Sequence, residues 1–188
     1  MKDDNGCAAN PLRLTSLNHI SLICRSVDES LDFYQNILGF FPIRRPGSFN
    51  FDGAWLFNYG IGIHLLQSED PEHMPEINHK INPKDNHISF QCESMVNVEK
   101  KLKEMEIEYV RSRVEEGGVY VDQLFFHDPD GMTIEICNCN NLPVVPLSAD
   151  QAAIIRSCPR ANLSTVAHSK TQQHQLKPCY SSPSSIRI

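Results

Sequence analysis

No stretch of this sequence approaches the roughly 20 consecutive apolar residues that a membrane-spanning helix needs. The first residues, Met1-Lys2-Asp3-Asp4-Asn5-Gly6, hold no apolar segment of the kind a secretory signal requires. Both absences predict a cytoplasmic chain with no membrane partner. Excess positive charge is missing too. The formal net charge is -6, which argues against unaided binding to nucleic acid or to an anionic membrane surface. There is no Cys-x-x-Cys pair, so neither a zinc ribbon nor a thioredoxin-like site is suggested. The seven cysteines are an odd number in a chain without a signal, and reduced thiols are the expectation. No glycine-rich phosphate loop and no Gly-x-Ser-x-Gly elbow occurs. What remains is ordinary globular material, 40% hydrophobic and 21% charged, long enough for one domain or two small halves sharing a core.

An internal repeat organises that material. Asn86-His87-Ile88-Ser89-Phe90-Gln91-Cys92-Glu93-Ser94 echoes Asn18-His19-Ile20-Ser21-Leu22-Ile23-Cys24-Arg25-Ser26, 68 residues earlier, with six of nine positions identical. Each copy reads as a strand opening a half-domain. In the first half a strand over Leu14–Cys24 precedes a helix capped by Ser26, with Glu29 at the capping-box position. Leu31, Tyr34, Ile37 and Leu38 follow at helical spacing, and Gly39 marks the stop. Three strands fit afterwards: Phe41–Arg44, Ala54–Tyr59 and Ile61–Leu66. Ser68 to Asp85, with three prolines and five acids, reads as a linker. The second half repeats the order. A strand over Asn86–Cys92 leads to a helix capped by Ser94, with Met95, Val98, Leu102 and Met105 on one side. Strands over Glu108–Val114, Val119–His127 and Met132–Asn138 follow, with turns at Glu116-Gly117-Gly118 and Asp128-Pro129-Asp130-Gly131. The pattern predicts an α+β domain of two βαβββ modules, eight strands and two main helices.

Both ends depart from this pattern. Residues 1–13 read as a disordered tail, and 143–188 as mostly disordered, with Ser148 to Ser157 able to form a short helix. That second tail carries Arg156, Arg160, Lys170, Lys177 and Arg187 against Asp150, spread as on a solvated extension.

Alternation along the strands brings out a candidate site. His19, Ser21 and Ile23 share one face of their strand, opposite Ile20 and Leu22. His87, Ser89 and Gln91 lie opposite Ile88 and Phe90. His64 lies opposite Ile61, Ile63 and Leu65, and Glu135 opposite Met132, Ile134 and Ile136. Each of these strands thus has an apolar face for packing and another face with one potential metal ligand. Three imidazoles and one carboxylate on the concave face of a curved sheet suit a divalent transition metal. Glu135 carries weight in that reading, because a carboxylate among isoleucines needs a partner. His73, His79 and His127, in or near loops, and His168 and His174, in the tail, read as solvated. Cys137 shares the face of Glu135 and reads as a small filler. The Asp128–Gly131 segment lacks the spacing of a calcium loop and reads as a turn.

The paired modules, with His19 and His87 opening them and Phe126-His127-Asp128-Pro129-Asp130-Gly131 preceding Ile134-Glu135-Ile136, resemble the vicinal oxygen chelate superfamily. The closest likeness is to its glyoxalase I-like members of plant type, over residues 14–142. The resemblance implies a cupped eight-stranded mixed sheet with flanking helices around a divalent metal (Zn, Ni, Co or Mn), often across a homodimer interface. It places His19, His64, His87 and Glu135 at the four ligand positions. It implies a lyase that converts the methylglyoxal–glutathione hemithioacetal to S-lactoylglutathione, with glutathione as co-substrate and Glu135 as base. Two positions depart from the glyoxalase I pattern: Ile23 stands where an arginine grips the glutathione carboxylate, and His64 where a carboxylate stands. Thiol transferases and epimerases of the same superfamily use related ligand sets, and a non-catalytic binding module is the remaining alternative.

Overall fold

A computed structural model describes residues 12–147. The short helix read at Ser148–Ser157 lies outside that range. Two helices begin where the serines place them. Ser26 Oγ accepts from Glu29 N at the start of α1 (Val27–Asn36), and Ser94 Oγ accepts from Asn97 N at the start of α2 (Met95–Glu104), each at 3.3 Å. Around α1 lie β1 (His19–Cys24), β2 (Phe41–Ile43), β3 (Gly53–Asn58) and β4 (Ile61–Gln67). Around α2 lie β5 (His87–Gln91), β6 (Val110–Glu116), β7 (Val119–His127) and β8 (Thr133–Cys137). The segment between them has one 3-10 turn, Pro71–His73, and is otherwise irregular, as its prolines predict.

The eight strands divide into two four-stranded mixed sheets of matching order, β1-β4-β3-β2 and β5-β8-β7-β6. The repeat extends to the register. In the parallel pairs, His19 lies opposite Gly62 and Ser21 opposite His64; likewise His87 lies opposite Thr133 and Ser89 opposite Glu135. His64 and Glu135 are therefore equivalent positions of the two modules. One step farther in each sheet, Trp55 pairs with His64 and Phe125 with Glu135.

Two strands, β1 and β6, depart most from the sequence reading, the others by at most one residue at an end. The first strand begins at His19 rather than Leu14, and Leu14 and Leu17 are exposed. Its neighbour β4 begins only at Ile61, after a turn, and the ladder between them starts with Gly62 N donating to the Asn18 carbonyl. β6 runs two residues past Val114, because the hairpin closes on Gly117-Gly118 alone with Glu116 opposite Val119. Both glycines have positive φ, 59° and 82°, as a tight two-residue hairpin turn requires.

The apolar faces meet in one core. Leu22, Leu56, Ile63 and Leu65 of the first sheet join Leu124, Phe126, Ile134 and Ile136 of the second, with Tyr34 of α1 and Leu102 of α2. Each such side chain stabilises the fold by roughly 1.5–3 kcal/mol. The core is therefore shared between the modules, and the other face of each sheet points away from it.

A polar staple also ties the modules. Tyr34 Oη donates to Asp128 Oδ2 at 3.0 Å, Ser30 Oγ donates to Asp130 Oδ2 at 3.2 Å, and Arg25 N donates to Asp130 Oδ1 at 2.9 Å. Burial pushes the Asp128 carboxyl and the Tyr34 phenol up from their ordinary values. Removing the phenol oxygen leaves a buried carboxylate oxygen without that donor. Tyr34→Phe should cost about 2 kcal/mol, read by urea unfolding followed by circular dichroism. A change under about 0.5 kcal/mol would show that water replaces the bond freely.

Candidate metal centre

His19 and His64 come together on the first sheet. Their rings stack with centroids 3.9 Å apart and 17° between planes. Trp55 stacks on the other side of His64 at 4.1 Å and 1°. Gly62 makes the arrangement possible. A Cβ there would stand 3.1 Å from His19 Cβ and 3.6 Å from His64 Nε2, tighter than a well-packed sheet tolerates at the first contact. His19 Nδ1 donates to Asn18 Oδ1 at 2.7 Å, which leaves Nε2 to bind elsewhere. Burial, and then the neighbouring His19, hold His64 below the ordinary histidine value and so favour its neutral, metal-binding form.

His87 and Glu135 come together on the second sheet. His87 Nδ1 donates to the Asp85 carbonyl at 2.8 Å, so its Nε2 presents a lone pair. That nitrogen lies 3.2 Å from Glu135 Oε2, itself an acceptor. Two acceptors at this distance require a proton or a cation between them. Gln123 Nε2 donates to the other oxygen, Oε1, at 2.5 Å. Glu135 is only 4% exposed, and the nearest bases and donors are those a metal ligand uses: an oriented imidazole and an outer hydrogen bond. The residues of this half fit a divalent ion.

Within one chain the structure brings together two pairs, not four. Among the described residues, His/Cys/Asp/Glu ligand atoms gather in a group of three only at Glu135, Cys137 and Cys139. The shared core lies behind both ligand-bearing faces, so His19 and His64 look away from one sheet while His87 and Glu135 look away from the other.

A model of the glyoxalase/bleomycin resistance protein/dioxygenase superfamily matches residues 16–136. The chain belongs to this superfamily. "Glyoxylase I 4" of Arabidopsis thaliana is 64% identical over 178 residues, which cover 94% of this chain and 98% of that protein. A glyoxalase/dioxygenase from Nostoc punctiforme has the same fold, with a TM-score of 0.55 and 22% identity over 69% of this chain and 94% of that one. The genomically encoded fosfomycin resistance protein FosX of Listeria monocytogenes does too, with a TM-score of 0.53 and 21% identity over 66% and 92%. The paired modules of the superfamily account for the repeated register and for the equivalence of His64 and Glu135.

Other residues of this superfamily member took less predictable positions. His127 is half-buried at the end of β7 rather than solvated, because β7 carries it into the sheet opposite Thr133. His73 bonds to Asp70 at 2.8 Å on the surface, and His79 is exposed; His168 and His174 lie outside the described residues. Cys137 forms a disulfide with Cys139 rather than standing as a lone filler, since the 3-10 turn Cys139–Asn141 folds the chain back at the end of β8. Cys139 Sγ then lies 4.0 Å from Glu135 Oε1. Cys24 and Cys92 are free thiols, and burial raises both, Cys24 to about 11, so they are protonated at neutral pH. Asn18, Asp85, Gln123 and Trp55 escaped the sequence reading. The repeated Asn before each histidine pointed to Asn18, and a lone amide between Val121 and Phe125 pointed to Gln123.

No helix of the described residues is long and apolar enough to cross a membrane.

Proposed function

We propose that the protein is a divalent-metal-dependent, glyoxalase I-like lyase that isomerises the methylglyoxal–glutathione hemithioacetal to S-lactoylglutathione. It works in the cytoplasm as a homodimer, in methylglyoxal detoxification. The observation that carries this reading is Glu135. A buried carboxylate is held at one oxygen by Gln123 and faces an imidazole lone pair with the other.

The metal site is shared between copies. His19 and His64 of one copy meet His87 and Glu135 of the second, and the reverse at a second site. Exposed apolar side chains on the same faces support such contact. Ile23 is 62% exposed, Phe57 39% and Val114 49%. A divalent ion bound by these residues would supply Lewis acidity to the vicinal oxygens of the substrate. Zn, Ni, Co and Mn all suit imidazole and carboxylate donors.

The chain's own residues do the rest. Asn18 and Asp85 fix the tautomers of His19 and His87, so both present Nε2. Gln123 fixes one oxygen of Glu135 and leaves the other to work as a base. That oxygen takes the proton from the carbon bearing the hydroxyl and returns it to the adjacent carbonyl carbon, while the hydroxyl proton passes to the former carbonyl oxygen. Atoms balance, because the reaction is an internal proton shift. The apolar walls keep bulk water from taking the proton instead.

The direct test is turnover of the hemithioacetal after chelation and after restoring each metal in turn. Activity lost to the chelator and recovered with one metal is the expected result. Silence with all four overturns the reading. Ile23 favours a second one, a thiol transferase or epimerase of the same superfamily, since no arginine stands there to hold the glutathione carboxylate. A panel of thiol and acyl-thioester substrates separates the two.

A further inference from the structure

The ring stack of the first half-site continues past His64. Trp55, stacked on His64 at 4.1 Å, also meets Phe49 at 5.7 Å, with those two rings tilted by 56°. Phe49 and Phe51 lie 5.3 Å apart, and the guanidinium of Arg45 sits 5.0 Å from the first ring and 4.7 Å from the second. An aromatic wall thus runs from the metal ligands to one cation. Trp55 shares the face of His64 because the two are register partners, so this wall starts on the face of the first sheet that carries His19 and His64.

The cation has capacity to spare. Arg45 Nη2 donates to the Phe51 carbonyl at 2.5 Å, and no acid among the described residues pairs with it. Arg25, Arg111 and Arg113 all pair with acids. A guanidinium carries five donors in a planar fork that matches a carboxylate, and the two phenyl rings orient that fork without using it up. Arg13 and Arg44 also lack an acid partner among the described residues, and what sets Arg45 apart is its place over two rings that adjoin Trp55.

We propose that Arg45, held by Phe49 and Phe51, is the residue that binds a carboxylate of the thiol part of the substrate. It does so from the loop between β2 and β3 rather than from β1, where Ile23 stands. The inference rests on the lyase reading for the nature of the thiol. The ladder steps of 4.1, 5.7 and 5.0 Å set the largest span from the His64 ring to the guanidinium. An extended tripeptide reaches roughly 10 Å, enough for most of that span.

The test uses metal-loaded full-length protein and two probes, S-hexylglutathione and its diester, measured by calorimetry. Arg45→Gln should weaken S-hexylglutathione binding at least about tenfold and leave the diester and the metal affinity unchanged. Arg45→Lys should restore part of the loss, since it keeps the charge without the fork. In turnover, KM should rise with kcat preserved. Equal binding of S-hexylglutathione to wild type and Arg45→Gln overturns the inference, as does equal loss of both probes, which marks a collapsed loop. No binding of S-hexylglutathione to the wild type overturns it as well. Arg45-dependent binding without turnover by any metal sustains the anion site and rejects the lyase reading. Turnover with Arg45-insensitive binding does the opposite.

Discussion

Replacing Glu135 by glutamine should lower kcat for the hemithioacetal about a thousandfold, within the range set by loss of a positioned base. The fold should survive. The amide has the size of the carboxylate, its oxygen can still accept from Gln123 Nε2, and its NH2 can donate to the His87 lone pair. The variant therefore satisfies every hydrogen bond of the native pair while removing the basicity and the negative charge of a metal ligand, so metal content is measured beside turnover. Circular dichroism and the thermal midpoint report the fold, and formation of the thioester reports turnover. A thousandfold loss in a well-folded chain that still binds the metal assigns the base. Turnover within about threefold of wild type would move the proton transfer to another group and end the case for Glu135.

Mixing two inactive chains should restore activity. A chain with His19→Ala and His64→Ala has a dead first sheet, and Glu135→Gln has a dead second sheet. If sites form between copies, a mixed pair joins both dead sheets in one site and both intact sheets in the other. Random exchange makes half of the pairs mixed, so activity should recover to about a quarter of wild type. If sites closed within one chain, the mixture would stay as inactive as its parts. The readout is turnover after denaturing and refolding the two chains together, with each chain alone as control. The effect is large because its alternative is zero.

The faces that carry His19, His64, His87 and Glu135 were legible because a strand has period two. Once His19 and His87 were seen in matching strands, their faces followed, and the register confirms them: Ser21 beside His64, Ser89 beside Glu135. What alternation cannot say is which way each face turns. That depends on where the helices and cores go, and here Leu22, Ile63, Leu124 and Ile134 meet in one interior, so the ligand faces part company. The start of β1 was misread because Leu14 and Leu17 look like strand residues, while the length of a strand is set by its neighbour. The Cys137–Cys139 pair was missed because periodicity ends with the strand, and a 3-10 turn, not a ladder, brings the second sulfur back. Arg45 was overlooked for a related reason. Its partners are two rings within the same loop and a stacked wall beyond, none of them close in pattern.

The halves are not interchangeable copies. Their registers match, yet the turn before β8 reaches across to hold α1, through Asp128 on Tyr34 and Asp130 on Ser30 and Arg25. The corresponding turn of the first half, Tyr59-Gly60, bonds only within its own module, through Tyr59 Oη to the Leu38 carbonyl. A duplicated ancestor would have carried the same turn twice. In this chain one copy has become a clasp and the other has not, so the dependence runs one way. The first module has its helix fastened by its sibling, and cutting the linker would leave that helix to lose its clasp once the two separate.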